Sequence, residues 1–445
     1  MCKEKNNMNV HLLNLGCVRN LVDSELMMGR LADSGCSMVS EASDAEVIIV
    51  NTCSFIEAAI TESIDTILEL AKLKTSGSCR RLIVAGCLPE RFGQDIAAAL
   101  PEVDLFLGTG AFDAIADAVT GNLTTPCLLP DPESSLLPIA HAPRLRTLPH
   151  LAYLKIAEGC SSHCTYCIIP KLRGKQRSRP IRDIAEEARM LITSGVKELV
   201  LVAQETTNYG RDLSEKANIS MLSDQIAQIS ENVRIRILYG HPESLDESFI
   251  RTVASHKNIC SYYDVPIQHA GNSVLKRMGR HYSQKDLYRI FENIRTRDPE
   301  AVLRTTVIVG FPGETDKDMD ALMTFIQDIR FDHLGAFIYS DAEDLPSHRL
   351  KHHVPKQIAK KRHDRVMKRQ RAISLKNNEK YLGKRLTVLT EESPEPGMFI
   401  GRTAFQAPEV DGITYIHAEG LNIGEFAQVK ITDTLEYDLI GEIDE

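Results

Sequence analysis

The chain has 445 residues, 43% hydrophobic and 25% charged, with a formal net charge of −9 at pH 7. That length exceeds one ordinary core and predicts two or three domains, while the composition excludes a disordered or fibrous chain. No apolar run approaches the roughly 20 residues that span a bilayer, and the polar start lacks an apolar signal core, so a cytoplasmic location without membrane association is expected.

From residue 8 to 121 short apolar strands alternate with amphipathic helices. Strands are predicted over 10–15, 47–50 and 82–85, and helices over 21–31, 56–72 and 96–100, the pattern of a parallel α/β sheet. Each strand runs into a cysteine: Cys17, Cys53 and Cys87. Open α/β sheets bind ligands beyond the carboxyl ends of their strands, so the three thiols either converge on one ligand or are ordinary core thiols. Gly16 and Gly86, each just before a cysteine, favour convergence, because glycine lets backbone approach a ligand closely.

Residues 122–149, rich in Pro and Leu without periodicity, read as a linker packed on the surface. Over 150–375 the strand–helix alternation returns, with strands at 152–156, 198–202, 235–237, 262–265, 302–309 and 334–338 and a helix at 181–194. Repeated βα units of this length predict a full or partial (β/α) barrel. Within it, residues 349–385 carry fourteen Lys or Arg against Asp364 and Glu379. This is most simply a solvated helix packed back on the barrel, with a nucleic-acid contact as the alternative. The tail, 386–445, offers short strands at 386–389, 398–400, 414–416, 427–431 and 439–443, which predict a small antiparallel β-barrel of OB-like type.

Eleven cysteines are an odd number, and six of them sit in two triads. In a reducing compartment that favours metal or catalysis over disulfides. Cys2, Cys36, Cys79, Cys127 and Cys260 have no partner spacing and read as buried or incidental thiols. The second triad, Cys160, Cys164 and Cys167, occupies one short loop after the first barrel strand. Three thiolates there suit three irons of a [4Fe–4S] cube with the fourth iron open. A zinc knuckle or a redox Cys-x-x-Cys pair is the alternative, although structural zinc asks for a fourth ligand and His163 is poorly spaced to supply it.

Six motifs in order carry a resemblance over nearly the whole chain. They are Leu-Gly-Cys-Val-Arg-Asn-Leu-Val-Asp-Ser-Glu (15–25), Val-Asn-Thr-Cys-Ser-Phe-Ile-Glu-Ala-Ala (50–59), Gly-Cys-Leu-Pro-Glu-Arg (86–91), the cluster loop, Tyr-Tyr-Asp-Val-Pro-Ile-Gln-His (262–269) and Arg-Thr-Thr-Val-Ile-Val-Gly-Phe-Pro-Gly-Glu-Thr (304–315). The chain resembles the radical S-adenosylmethionine methylthiotransferases, and Phe55-Ile56, Leu88, Ile168-Ile169-Pro170 and Gln204-Glu205-Thr206-Thr207 lean toward the branch that modifies a ribosomal protein.

The resemblance implies an N-terminal methylthiotransferase domain (8–121), a linker (122–149), a radical domain (150–375) and a C-terminal TRAM module (380–445). It implies two [4Fe–4S] clusters and two molecules of S-adenosylmethionine per turnover. Cys160, Cys164 and Cys167 would hold the catalytic cluster that reduces the cofactor to a 5′-deoxyadenosyl radical. Cys17, Cys53 and Cys87 would hold an auxiliary cluster carrying the sulfur to be donated. Chemistry of this kind belongs to the cofactors, and the protein supplies position and electrostatics. The expected cofactor contacts are Tyr166, Gln204 and the turn Gly310, Phe311, Pro312 and Gly313, for which an ordinary βα connection is the alternative; Gln268 and His269 read as core hydrogen-bonders, and Arg173, Lys175, Arg177 and Arg179 are candidate clamps on the cofactor carboxylate or domain-closing groups.

The implied substrate is an aspartate of ribosomal protein S12, free or in the small ribosomal subunit, and the implied electron donor is a flavodoxin or ferredoxin. DNA is not expected as a partner. The alternatives are a transfer-RNA methylthiotransferase of the same family and a non-catalytic metal- and RNA-binding protein. Residues 386–445 hold thirteen acids against Arg402 and Lys430, a net of −11 that leaves about +2 for the rest. A module that grips RNA through phosphates should be basic, so transfer RNA is disfavoured. Two departures from the family pattern stand out: Glu205 where Asp is usual, and Ser340-Asp341-Ala342-Glu343-Asp344 in place of a glycine-ended turn.

Overall fold

Residues 8–134 and 137–443 are described by the computed structural model; Cys2 lies outside them. They group into two units. One takes the chain to Thr147 with Lys155–His163 and Cys167–Arg179, and the other takes Leu148–Leu154, Cys164–Tyr166 and everything from Pro180 onward.

The first unit is built on six parallel strands: β1 (Asn9–Asn14), β2 (Ser37–Met38), β3 (Val47–Thr52), β4 (Arg81–Gly86), β5 (Leu105–Leu107) and β6 (Cys127–Leu128). They lie in the order β2-β1-β3-β4-β5-β6. Every residue of β3 is buried, as expected of a parallel strand covered on both faces. Ile49 and Ile83 pack with Met27 and Leu31 of the helix Val18–Asp33. Ile48, Val50 and Leu82 pack with Ile67 of the helix Glu57–Ala71 on the other face. The helices after β1 and β3 therefore lie on opposite faces, and a crevice opens between those strand ends.

Sequence periodicity finds β1, β3 and β4 but misses β2, β5 and β6, which are two or three residues long and too short to show a period. The linker expectation is corrected in part, since β6 lies inside residues 122–149 and pairs with β5. Farther along that stretch, Arg144 Nε and the Thr147 N–H both donate to Glu25 at 2.8 Å, tying it to the helix Val18–Asp33. The unit also holds the small antiparallel pair β8 (Ala157–Glu158) and β9 (Arg177–Ser178), which follow β7 (Leu151–Lys155).

In the second unit, β7 joins β10 (Glu198–Val202) and β11 (Arg234–Ile237) in the order β11-β10-β7, and β12 (Tyr262–Asp264), β13 (Val302–Val309) and β14 (His333–Ile338) form a neighbouring parallel sheet. A single bridge, Ile235 to Ile259, links the two sheets. Of the two expectations, the partial barrel is the one observed. Capping boxes start the helices Gln284–Arg297 (Ser283 with Asp286) and Asp316–Ile329 (Thr315 with Asp318). The helix Lys356–Asn378 turns Val366 and Ile373 inward, and its Gln370 donates to the carbonyl of Phe331 at 2.7 Å.

The tail forms a closed barrel of β15 (Arg385–Glu395), β16 (Met398–Arg402), β17 (Thr414–His417), β18 (Phe426–Thr434) and β19 (Leu439–Glu442), ordered β15-β16-β17-β19-β18 around Val388, Phe399, Ile416, Val429 and Ile431. The antiparallel expectation holds for every pair but β17 with β19, which is parallel. The order dictates this: β19 runs antiparallel to β18 and so enters beside β17 in the same direction. The barrel docks on the amino-terminal ends of β10 and β11 through Glu198, Arg234, Arg236 and Arg402, all buried.

Candidate active site

Cys17, Cys53 and Cys87 follow the carboxyl ends of β1, β3 and β4, three adjacent strands flanking the crevice. Local geometry demands the glycine before Cys87: Gly86 has φ +97°, and a Cβ there would lie 2.4 Å from Asn51 Oδ1. Asn20 ties the strand ends together, its Nδ2 donating to Asn51 Oδ1 at 3.2 Å and to the Thr52 carbonyl at 3.1 Å.

The thiols feel one another. Burial pushes Cys53 up to about 11, and the neighbouring Cys87 and Cys17 add to the rise. Burial raises Cys87 against the pull of Arg173; at Cys17 burial also raises the thiol, but Arg19, Arg173 and the backbone N–H groups of Asn20 and Arg19 together hold it below its ordinary value. Arg173 Nη2 lies 3.8 Å from Cys87 Sγ and donates to Asn20 Oδ1 at 2.9 Å, while Nη1 donates to Asp23 at 2.8 Å. Lys155 pairs with Asp23 and with Glu158 in the same buried network. Sequence reasoning offered Arg173 as a clamp on the cofactor carboxylate or an interface-closing group; here it is engaged by the protein's own Asp23 and Glu158 and lies beside Cys87 of the first triad.

Three soft thiol donors with cationic side chains beside them fit a cube whose thiolates add negative charge. Among the described residues no three His, Cys, Asp or Glu side chains converge closely enough to chelate one ion. A cube takes each thiolate on a different iron, so it suits a wider triangle than zinc does.

The second triad lies on the loop between β8 and the helix Ile169–Arg173, and its three thiols are all half-buried. In the first unit, the Cys160 N–H donates to the Gly174 carbonyl at 3.0 Å. Gly159, with φ +75°, leaves no room for a Cβ, which would meet the Lys175 carbonyl at 2.1 Å. Arg179 Nη1 donates to the Lys155 carbonyl, and Arg177 donates to the carbonyls of Pro132 and Glu133.

In the second unit, Thr165 is clamped by the carbonyls of Met278 and Arg277. Tyr166 meets Phe311 edge-on at 6.3 Å between centroids, and its hydroxyl accepts from Arg280 Nε at 3.1 Å. Burial drives the Tyr166 phenol well above its ordinary range, so it stays protonated. Phe311 is buried among Val274, Met278, Tyr339 and Leu350.

The turn Gly310–Gly313 follows β13. Its Gly310 and Phe311 N–H groups donate to Glu314 Oε2 at 2.7 and 3.2 Å, and the Gly313 N–H donates to the His352 carbonyl at 2.7 Å. Those amides are engaged within the protein, and the Pro312 carbonyl accepts from Arg277. Gln204 is half-buried just beyond β10. The structure thus joins Tyr166 to the Gly-Phe-Pro-Gly turn through ring contact, and Gln204 stands apart on a different strand end. Sequence reasoning missed Arg280, which also donates to His241, and Glu314, which is paired with Arg362 at 2.9 Å. Neither had a motif spacing of its own to reveal it.

His269, read from sequence as an ordinary core histidine, has no exposed surface and is lowered to about 4 by burial. Gln268 beside it takes φ +63°, as does Tyr239 after β11, so two non-glycine residues adopt left-handed backbone at barrel strand ends. Of the two departures, Glu205 is buried and accepts from the Ser244 hydroxyl, and Asp341 accepts from the Tyr339 hydroxyl at 2.9 Å.

Comparison with known proteins settles the family. Residues 9–108 match the uncharacterized protein family UPF0004, 154–326 the radical SAM superfamily and 382–443 the TRAM domain. The chain is 52% identical to the ribosomal protein uS12 methylthiotransferase RimO of Desulfosudis oleivorans over 98% of its length and all of that relative's. It is 45% identical to RimO of Clostridioides difficile, covering 98% of each chain. The chain belongs to the RimO family of ribosomal protein uS12 methylthiotransferases.

As a member of the RimO family it is a radical S-adenosylmethionine methylthiotransferase, and its radical SAM domain implies a [4Fe–4S] cluster and S-adenosylmethionine. Solved structures agree on the fold alone. The radical S-adenosylmethionine methyltransferase TsrM from Kitasatospora setae superposes with a TM-score of 0.57 at 14% identity, covering 77% of each chain. The cobalamin-dependent enzyme OxsB gives 0.54 at 11% identity, covering 82% of this chain and 56% of that one. No helix among the described residues is long and apolar enough to cross a membrane.

Proposed function

We propose that this enzyme adds a methylthio group to the β-carbon of an aspartate in ribosomal protein S12, in the cytoplasm, drawing electrons from a flavodoxin or ferredoxin. The observation that carries the two-cluster reading is the placement of Cys17, Cys53 and Cys87 at three adjacent parallel strand ends. In this reading Cys160, Cys164 and Cys167 hold one [4Fe–4S] cluster and Cys17, Cys53 and Cys87 hold a second. Two S-adenosylmethionine molecules are consumed per turnover, one giving the radical that removes hydrogen and one the methyl group.

The protein's own part is position and exclusion of water. Tyr166, backed by the buried Phe311, offers an apolar wall for the adenine, and Arg280 holds the Tyr166 hydroxyl so that the ring stays against Phe311. Glu314 fixes the Gly310–Gly313 turn from within. Gln204 supplies a polar group at a neighbouring strand end.

For the substrate, charge supports a basic protein over transfer RNA. Arg402, one of the two cations of the tail, is consumed by Glu198 and Glu391 inside the fold. Glu392, Glu395, Glu419, Asp433, Glu436 and Glu442 stay exposed on the barrel. Such a face steers a basic ribosomal protein and repels a polyanion within about 8 Å at physiological salt. The test is anaerobic reconstitution with iron and sulfide, then incubation of the full chain with S-adenosylmethionine, reductant and S12 or transfer RNA. A gain of one methylthio group on an S12 aspartate is expected; modification of transfer RNA with none of S12 overturns the reading.

A further inference from the structure

The helix Lys356–Asn378 is 23 residues long, about 34 Å. One side is committed to the fold: Ala359, Val366, Gln370, Ile373 and Ser374 are buried. A flank is tied down by Arg362 to Glu314 and Asp316, Arg365 to Asp320 and Arg369 to Gln327. The outward side carries Lys356, Lys360, Lys361, Lys368, Arg371 and Lys376, all exposed, with Asp364 as the helix's only acid. None of these six enters an ion pair among the described residues.

A merely solvated helix is stabilised when opposite charges alternate at i,i+4, and like charges at that spacing destabilise it. Asp364 stands four residues from both Lys360 and Lys368, but Lys356 is followed by Lys360, Lys361 by Arg365 and Arg365 by Arg369 at that spacing, with no acid beyond Asp364. The helix crowds one sign along its outer face, at a cost to its own stability that a polyanion would relieve. The β-barrel of the same unit is acidic on its exposed surface, so charge is segregated within one compact unit rather than blended.

We infer that the outer face of this helix binds the phosphate backbone of ribosomal RNA, so that the enzyme engages its substrate as assembled ribonucleoprotein. The acidic barrel takes the basic protein, and the basic helix takes the RNA that surrounds it. This rests on the reading of the substrate as a small-subunit ribosomal protein. Lysines hold phosphates as point charges and release counterions on contact, which makes such binding strongly salt-dependent.

The test compares the full chain with the triple variant Lys361→Gln, Lys368→Gln, Arg371→Gln, whose changes lie on solvent-facing positions and leave the packed side intact. Binding is measured to unmodified small ribosomal subunits, to protein-free small-subunit RNA, to free S12 and to vesicles of phosphatidylglycerol, each at several salt concentrations. Removing three phosphate contacts should lower the log–log salt slope for subunits and for RNA by about 2 to 3 and weaken both at least about tenfold, with free S12 binding unchanged.

An unchanged slope and affinity for subunits overturns the proposal. Equal loss of free S12 binding overturns it in favour of a protein-binding helix, and capture by vesicles without capture by RNA overturns it in favour of a lipid surface. Methylthiolation of S12 is scored separately. RNA-dependent subunit binding without modification would fault the activity and leave the helix's partner standing.

Discussion

Glu198 is the perturbation with the most readable consequence. It starts β10, has no exposed side-chain surface, and accepts from Arg236 Nε at 2.8 Å and from Arg402 Nη2 at 3.2 Å, with Arg234 Nη1 at 3.6 Å. Arg402 comes from the β-barrel, and Arg234 and Arg236 return donors to the barrel carbonyls of Arg402, Thr387 and Ala404. Although burial alone would raise the Glu198 carboxyl, Arg402, Arg236 and Arg234 hold it down at about 2 instead of the usual 4.5.

A carboxyl so depressed contributes about 3 kcal/mol, fully present above pH 4.5 and lost as the pH falls through about 2. Glu198→Gln keeps the shape and removes the charge, leaving Arg234 and Arg236 without a carboxylate and Arg402 with Glu391 alone. The expected cost is about 3 to 5 kcal/mol, and the variant should lose the part of the acid sensitivity that this group contributes between pH 4.5 and 2. The chain has no Trp, so urea unfolding is followed by circular dichroism, with limited proteolysis reporting release of residues 380–445. A variant that unfolds at the wild-type urea midpoint, with wild-type acid dependence, would refute the account of the barrel's docking.

Four further outcomes are expected. Replacing Cys160, Cys164 and Cys167 by Ala should leave about half of the reconstituted iron, as fits one cluster of two, and abolish 5′-deoxyadenosine. Replacing Cys17, Cys53 and Cys87 should also halve the iron while cofactor cleavage persists without sulfur insertion; full iron in that variant would disprove the auxiliary site. Gly86→Ala forces a Cβ within 2.4 Å of Asn51 Oδ1 at a φ of +97°, so it should cost about 1 to 3 kcal/mol in thermal unfolding of the apo-protein and reduce iron uptake at the first triad. Arg173→Ala leaves Asp23 short of a partner beside Lys155 and should destabilise the apo-protein by about 3 kcal/mol; no change in unfolding would mean that the buried network is slack.

Much of this protein was legible in one dimension. The proximity of Cys160, Cys164 and Cys167 was legible, because residues so close in sequence stay close in any fold of that loop. The long strands were legible because 198–202 and 302–309 are runs of apolar or alternating residues long enough to show a period. Charge was legible too, since it is additive along the chain. The −11 of the tail needed no coordinates.

What the chain order could not decide was who meets whom. The short strands β2, β5 and β6 exist because a sheet edge recruits them, which no local pattern encodes. The placement of Cys17, Cys53 and Cys87 at adjacent strand ends depends on β1, β3 and β4 being neighbours. Arg173 faces Cys87 across 86 residues of sequence, and Arg402 faces Glu198 across 204. Sequence spacing leaves such pairings undetermined because their energy comes from burial, and burial is a property of the assembled fold, where Arg173, one of a run of cations, joins Lys155 on the hidden Asp23.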